Sequence, residues 1–114
     1  MPHFVIECSE NTIDKTSLED TMQTVYNAAE STQLFDKGDI KVRINPFKHY
    51  NIGNTKNDFI HIFANIMEGR TSNQKAHLSK AIVMELKSIF PKVPVISMNI
   101  RDFEKATYCN KEMV

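Results

Sequence analysis

The 114-residue sequence has no excess of either charge, because 14 Lys and Arg residues balance 14 Asp and Glu residues. Nucleic-acid binding draws mainly on an excess of cations, so this balance argues against a polyanion as partner. A local cationic pocket for a small carboxylic acid is still compatible with it. No stretch is long and apolar enough to cross a bilayer, so we expect no membrane partner.

The sequence also lacks a targeting segment and has few cysteines. The first seven residues lack a basic segment followed by an apolar one, so we expect no secretory signal and a cytoplasmic location. The two cysteines, Cys8 and Cys109, do not form a metal-type pair, and free thiols are favoured over a disulfide in the cytosol. Cys8 fits a small core residue.

Four histidines are the remaining candidates for metal ligands: His3, His49, His61 and His77. None shares a helix with another at ligand spacing, and no carboxylate partner is evident. We therefore predict no metal site, and His3, beside the second residue, is the only histidine that warrants a test.

The periodicity of apolar residues predicts four strands and two helices. In chain order these are a strand at 2–8, a helix ending near Ser31, a strand at 40–45, a strand at 58–67, a helix with the stripe Leu78, Ile82, Leu86 and Ile89 that ends before Pro91, and a strand at 95–101. The first helix has two possible capping pairs, Thr16 with Glu19 or Ser17 with Asp20, and Thr71 with Gln74 forms a capping box for the second. Residues 46–57 are predicted to be a loop.

This order predicts an α+β fold, β-α-β-β-α-β, with a four-stranded sheet and both helices on one face. We expect one domain over residues 1–114, with units at about 2–45 and 58–101 and a polar tail at 102–114. Strands joined by a crossover helix should pair in parallel. The other face of the sheet then keeps apolar side chains, and such a face is usually covered by a partner.

Ferredoxin-like modules, including RNA-recognition domains, share this order of elements, so the fold alone does not decide the function. RNA binding requires exposed aromatics on the central strands with basic residues around them. Phe59 and Phe63 supply aromatics, but the glycine and the basic residue of the RNA-binding signature are missing. This disfavours nucleic acid as a partner.

Three segments carry a more specific signal: Pro2–Asn11, Gly38–Arg43 and Glu68–Thr71. Together they resemble 5-carboxymethyl-2-hydroxymuconate isomerases, members of the tautomerase superfamily, and the resemblance in pattern and length covers nearly the whole chain. It implies a homotrimer whose sheets surround the threefold axis, with an active site near each Pro2 and a tail that contacts a neighbouring subunit. It also implies a reaction without a cofactor, in which a proton moves along a conjugated dienol acid.

Such a reaction requires a base that titrates near neutrality. Removal of Met1 would leave Pro2 with a free secondary amine, and an α-amino group has an ordinary pKa of about 8. An apolar pocket beside cations should lower that pKa. Pro2 is therefore the candidate catalytic residue, although a proline is also acceptable at the start of a strand for structural reasons alone.

The reaction also requires cations for the substrate's carboxylates, and the candidates are Lys41, Arg43 and Arg70. Lys41 and Arg43 alternate on one face of a strand, while Arg70 precedes the second helix, whose N-terminal amides also favour an anion. Lys41 stands where the isomerases carry arginine, and lysine keeps the charge but loses the two-pronged geometry. This difference puts the substrate in question more than the type of reaction.

Two other functions remain open from the sequence. A non-catalytic module could bind a small acid in the same pocket, and retention of Met1 would favour it because the amine of Pro2 would be blocked. Another tautomerase activity, such as keto–enol conversion of arylpyruvates, is also possible. Four aromatic residues could form apolar pocket walls, although core packing explains them equally well: Phe35, Phe47, Tyr50 and Phe59.

Overall fold

The fold is a four-stranded mixed sheet with two long helices, as described by a computed structural model for residues 1–13 and 17–114. The strands are β1 (His3–Ser9), β2 (Lys41–Phe47), β3 (Phe59–Met67) and β4 (Val95–Phe103). The helices are α1 (Glu10–Ile13), α2 (Leu18–Ser31) and α3 (Ser72–Ile89). Short 3₁₀ turns lie at Lys37–Asp39, Lys105–Thr107 and Lys111–Met113. The predicted α+β order is confirmed, and none of the described helices has both the length and the apolar character needed to cross a membrane.

The strand order β2-β1-β3-β4 places β1 and β3 at the centre of the sheet. β1 pairs in parallel with β2, β3 pairs in parallel with β4, and the two halves join through the antiparallel pair of β1 and β3. Parallel pairing within each half follows from the crossover helices α2 and α3. The predicted central position of β3 is therefore correct.

Alternation along β1 and β3 separates a buried face from an open one. Phe4, Ile6 and Cys8 of β1 are buried, as the sequence predicts, and burial raises the pKa of the Cys8 thiol to about 11. β3 buries Ile60, Ile62, Ala64 and Ile66 on the same side. All of these residues except Ile66 form one core with the buried apolar residues of α2 and α3, so both helices cover this face.

The helix boundaries follow the capping signals. α2 begins after Ser17, whose side chain accepts a hydrogen bond from the backbone N–H of Asp20, so the second of the two capping pairs is correct. The alternative that uses Thr16 falls outside the described residues. At α3 the capping box of Thr71 and Gln74 is present with both hydrogen bonds, as predicted.

The stripe predicted for α3 is wrong at its last member. Leu78, Ile82 and Leu86 are buried, but Ile89 is 42% exposed. Phe90, the next residue, leaves the helical conformation at φ −126° and is buried in its place. The apolar periodicity assumes that the helix continues past Ile89. Because Pro91 disfavours a helical conformation at the residue before it, Phe90 leaves the helix and its larger side chain enters the core instead of Ile89.

Strand β2 is longer than predicted, because Pro46 and Phe47 belong to it and not to the following loop. Proline is tolerated there because β2 is an edge strand, where a backbone N–H on the outer side has no partner. Helix α1 was missed within the polar linker, since four residues are too few to show a helical period. β4 continues through Phe103, two residues beyond the predicted alternation.

Truncation of Ile82 to alanine should destabilise the fold by about 2–5 kcal/mol, because its side chain is fully buried between the helices and the sheet. Met84 lies on the same helix and is 68% exposed, so Met84→Ala is the matched control and should change the free energy of unfolding by less than about 0.5 kcal/mol. Urea titration followed by circular dichroism measures both. Equal losses would contradict the assignment of the buried face.

Candidate active site at the amino terminus

Pro2 lies fully buried just before the central strand β1, at the end of the sheet where the neighbouring strand β2 also begins. Its carbonyl oxygen accepts a hydrogen bond from the backbone N–H of Lys41, 3.1 Å away. The parallel register then sets His3 beside Lys41 and Val5 beside Arg43. The second residue of the chain is therefore fixed in position by a central strand.

A cavity of about 230 Å³ lies next to this terminus. It is lined by Met1, Gln33, Leu34, Phe35, Asp36, Asp39 and Arg70. Most of these residues belong to the connection between α2 and β2, and Arg70 comes from the connection between β3 and α3. We call it the amino-terminal cavity.

Arg70 is held at the cavity by contacts with the backbone and with an aromatic ring. Its Nη2 donates to the carbonyl oxygen of Leu34 at 2.7 Å and its Nη1 to that of Met67 at 3.3 Å. Its guanidinium carbon lies 4.8 Å from the centre of the Phe35 ring, in cation–π geometry. The preceding Gly69 has φ 123°, a backbone conformation that favours glycine and turns the chain here. The guanidinium keeps further N–H groups with which it can bind a carboxylate.

Lys41 places a second cation near the same terminus. Its Nζ donates to the carbonyl oxygen of Asp39 at 2.8 Å and lies 3.5 Å from the sulfur of Met1. The ammonium group has three N–H groups, so it can still donate to a bound anion. Arg70 and Lys41 thus approach the amino terminus from different parts of the chain.

The charges around the terminus act on its amine in both directions. Partial burial lowers the pKa of the Met1 amino group, Asp39 raises it, and Arg70 and Lys41 lower it. Asp36 makes a smaller raising contribution, and the net direction is downward. Burial and cations thus favour a neutral amine at this end of the sheet.

Arg43 does not turn toward Met1 as Lys41 does, although the two side chains share a face of β2. Arg43 is exposed, and its Nη1 lies 3.1 Å from Nδ1 of His3. A guanidinium only donates, so Nδ1 accepts and the neutral ring carries its hydrogen on Nε2. Burial lowers the pKa of His3, and Arg43, Lys41 and the terminal amine lower it further. Of the three predicted cations, the structure therefore brings two to the terminus and ties the third to His3.

The N-terminal amides of α3 are partly occupied, which limits the predicted anion site there. Thr71 Oγ1 accepts from the backbone N–H of Gln74, and the side-chain oxygen of Gln74 accepts from the backbone N–H of Thr71. Anion binding beside this helix would thus depend mainly on the Arg70 side chain.

The predicted aromatic walls separate into two groups. Phe35 lines the amino-terminal cavity, whereas Phe47 and Tyr50 line another cavity near the far end of β2. Phe59 packs against Tyr50 there. The two aspartates of the cavity, Asp36 and Asp39, were not assigned to the site from sequence, and their only signal was a position just before a strand that carries cations. In the described ranges no three His, Cys, Asp or Glu residues cluster as metal ligands.

The sheet with its two crossover helices, and a proline at the head of a central strand, define a tautomerase-superfamily fold. The family described as 5-carboxymethyl-2-hydroxymuconate isomerase matches residues 2–113. The chain therefore belongs to this family and is an isomerase of the tautomerase superfamily, as the sequence motifs indicated. No curated protein sequence matches it.

Solved structures share the fold over nearly the whole chain. A 5-carboxymethyl-2-hydroxymuconate isomerase from Deinococcus radiodurans R1 has 20% identity and a TM-score of 0.82, over 96% of this chain and 88% of that one. A protein inactivated by 2-oxo-3-pentynoate has 18% identity and a TM-score of 0.82, over 98% and 94%. A fused 4-OT in a symmetric trimer has 15% identity and a TM-score of 0.80, over 98% and 95%.

Replacing Arg43 by alanine should raise the pKa of His3 toward its ordinary value, because a neighbouring cation and its hydrogen bond to Nδ1 are removed. NMR titration of the His3 ring protons measures the shift. Arg101→Ala is the control, since Arg101 is also exposed but lies in β4, beyond β3. An unchanged His3 titration in the Arg43 variant would contradict the contact.

Proposed function

We propose that the chain is a cofactor-independent tautomerase of a 2-hydroxymuconate-type dienol acid, with Pro2 as the base once Met1 is removed. The observation that carries the proposal is the position of the terminus, fixed at the end of β1 beside a cavity lined by Arg70 and within reach of Lys41, whose Nζ lies 3.5 Å from the Met1 sulfur. The family to which the chain belongs is described by a substrate of this type, 5-carboxymethyl-2-hydroxymuconate. A delta-isomerase acting on that compound is the particular activity proposed.

The proposed reaction conserves all atoms and electrons. The neutral amine of Pro2 takes the proton of the 2-hydroxyl group, so the O–H bond breaks and an N–H bond forms. The electron pair left on oxygen forms the C2 carbonyl, the C2–C3 double bond moves to C3–C4, and the electrons of the C4–C5 double bond take the proton back from the ammonium group at C5. The product is the conjugated 2-oxo acid.

The cations have separate tasks in this mechanism. Arg70 binds the carboxylate, and its ties to two backbone carbonyls hold it in place before the substrate arrives. Lys41 stabilises the negative charge that develops on the dienolate oxygen. Arg43 is proposed to bind substrate as well, in contact with His3, although it lies outside the amino-terminal cavity.

Pro2 is a suitable base because its amine would occupy a more buried position than that of Met1. Met1 is half-buried and lines the cavity, whereas Pro2, the next residue, is fully buried. Loss of Met1 would open the cavity and expose the amine of Pro2 to the same two cations. While Met1 is attached, the nitrogen of Pro2 is an amide nitrogen and has no basicity.

Pro2→Ala, with Met1 removed, should lower kcat/KM for 2-hydroxymuconate by about 10²-fold, because the rigid secondary amine is replaced by a mobile primary one. The wild-type kcat/KM should fall as the pH falls through the pKa of the Pro2 amine, which we expect below the ordinary α-amino value of about 8 because burial lowers the pKa of the Met1 amine at the same terminus. A protein that retains Met1 should be inactive, and mass spectrometry identifies each terminus.

Pro94→Ala is the matched control for this variant, since Pro94 is exposed in the connection between α3 and β4. Full activity of Pro2→Ala, or of the protein that retains Met1, would sink the catalytic role of Pro2. Tight binding of the acid without turnover would favour the non-catalytic acid-binding module instead.

A homotrimer assembled through the open face of the sheet is part of the proposal. This face carries Val5 on β1 and Phe63 on β3, which are paired in the register, and Phe63 is 40% exposed. A fused 4-OT with the same fold is a symmetric trimer, which supports the same arrangement here. Contact between the C-terminal tail and a neighbouring subunit stays a prediction.

Phe63→Asp should dissociate the trimer, because three like charges would lose water at the contact between subunits. Sedimentation velocity measures the mass of the assembly. Met84→Asp on the outer face of α3 is the control and should leave the trimer intact, since Met84 is 68% exposed on the helix side. A monomeric wild-type protein would contradict the proposal.

A further inference from the structure

Two aspartates, Asp36 and Asp39, line the amino-terminal cavity, and the proposed mechanism gives neither of them a task. The connection that carries them forms the 3₁₀ turn Lys37–Asp39, in which the backbone N–H of Asp39 donates to the carbonyl oxygen of Asp36 at 2.9 Å. Asp36 is exposed and its side chain caps no N–H group of this turn, whereas Asp39 is half-buried. The turn therefore presents two negative charges to the cavity.

Asp39 lies beside the amino terminus because of the same register that fixes Pro2. The pairing of β1 with β2 sets His3 beside Lys41, so Met1, two residues before His3, is level with Asp39, two residues before Lys41. The hydrogen bond from the backbone N–H of Lys41 to the carbonyl oxygen of Pro2 extends this pairing to the terminus. The nitrogen atoms of Met1 and Pro2 are separated by three covalent bonds and so lie within about 4 Å of each other. A charge that acts on one nitrogen therefore acts on the other.

The cations near the terminus are tied to backbone oxygens and not to these carboxylates. Arg70 donates to two backbone carbonyl groups, and Lys41 Nζ donates to the carbonyl oxygen of Asp39. In the part of the chain that the structure describes, the one ion pair closer than 4.0 Å joins α3 to β4. Neither Asp36 nor Asp39 is therefore neutralised by direct contact with a cation, and both carboxylates can act on the amine.

The charged and titratable groups around the amine come from four parts of the chain. They are Asp36 and Asp39 between α2 and β2, Lys41 at the start of β2, Arg70 between β3 and α3, and His3 on β1, whose ring is neutral. Burial lowers the pKa of the amine, and among the charges Asp39 has the largest effect, which raises it. The raising effect of Asp36 is the smallest. Asp39 thus favours the ammonium form against burial and two cations.

We infer that Asp39 is a positioning residue for the proposed base: its carboxylate stabilises the protonated amine between removal of the proton from the substrate's oxygen and return of the proton to carbon. Asp39 itself neither gains nor loses a proton. The inference rests on the proposed function, because it assigns this proton transfer to Pro2. Arg70 and Lys41 act on the negative charge of the substrate, whereas Asp39 acts on the positive charge of the amine.

Asp39→Asn tests the inference, because it removes the negative charge and keeps the backbone carbonyl that holds Lys41. The acidic limb of the kcat/KM profile, where the amine becomes protonated, should move to lower pH, since the ammonium form of Pro2 is less stable. At a pH below this limb, kcat/KM relative to its own plateau should rise about threefold over the wild-type protein. The plateau of kcat should fall, because the amine takes the proton less readily, while KM should not rise.

Two further variants serve as comparisons. Asp36→Asn should move the limb in the same direction but by less, because the effect of Asp36 on the amine is smaller. Glu85→Gln is the matched control and should leave the limb unchanged, since Glu85 is exposed on α3 and lines no part of the amino-terminal cavity. An unmoved limb in Asp39→Asn, with or without a rise in KM, would overturn the inference.

A titration of the amine separates this inference from the proposed function. In protein labelled with ¹⁵N at proline and lacking Met1, Pro2 is the one proline whose nitrogen titrates, because Pro46, Pro91 and Pro94 have amide nitrogens. NMR should give a lower pKa for this nitrogen in Asp39→Asn than in the wild-type protein. A lower value supports the contact of Asp39 with the amine even if Pro2→Ala retains full activity. Equal pKa values in the two proteins would overturn the inference and leave the role of Pro2 intact.

Discussion

The pairing of β1 on both of its edges is the constraint on which the rest of the structure depends. β1 lies between β2 and β3, so its register fixes which side chains enter the core and where the chain begins. Phe4, Ile6 and Cys8 face the helices, and a slip of one residue would expose all three. The same register holds Pro2 at the head of the strand and directs His3 to the open face.

This placement gives the amino terminus two different neighbourhoods. On one side lie the amino-terminal cavity and Arg70, and on the other lies a cavity lined by His3 and by residues of the C-terminal end of the chain. Burial dominates the titration of the amine, with opposed contributions from aspartates and cations. Because Arg70 and Lys41 are tied to backbone carbonyls, their charges are in place before a ligand arrives. A polar site arranged in advance stabilises developing charge without reorganisation.

Lys41 and Arg43 lie on the same face of β2 but make different contacts. Their alternation on β2 correctly indicates the same side of the strand, but Lys41 turns to the terminus and Arg43 to His3. The ammonium group of Lys41 cannot bind a carboxylate through two parallel N–H groups, as an arginine at this position would.

The sequence by itself determined the α+β order of elements, the buried faces of β1 and β3, the capping box of α3 and the family, because these depend on local periodicity and short motifs. It named Pro2, Lys41 and Arg70 as candidate site residues, which stays a prediction, but it did not give their geometry. Only the tertiary structure decided that Phe90 replaces Ile89 in the core, that β2 extends through Pro46, and that Arg43 contacts His3. It also decided that the C-terminal segment returns to Glu68. These features depend on contacts between residues distant in sequence, or on which of two neighbouring side chains fills one position in the core. A local sequence pattern encodes neither.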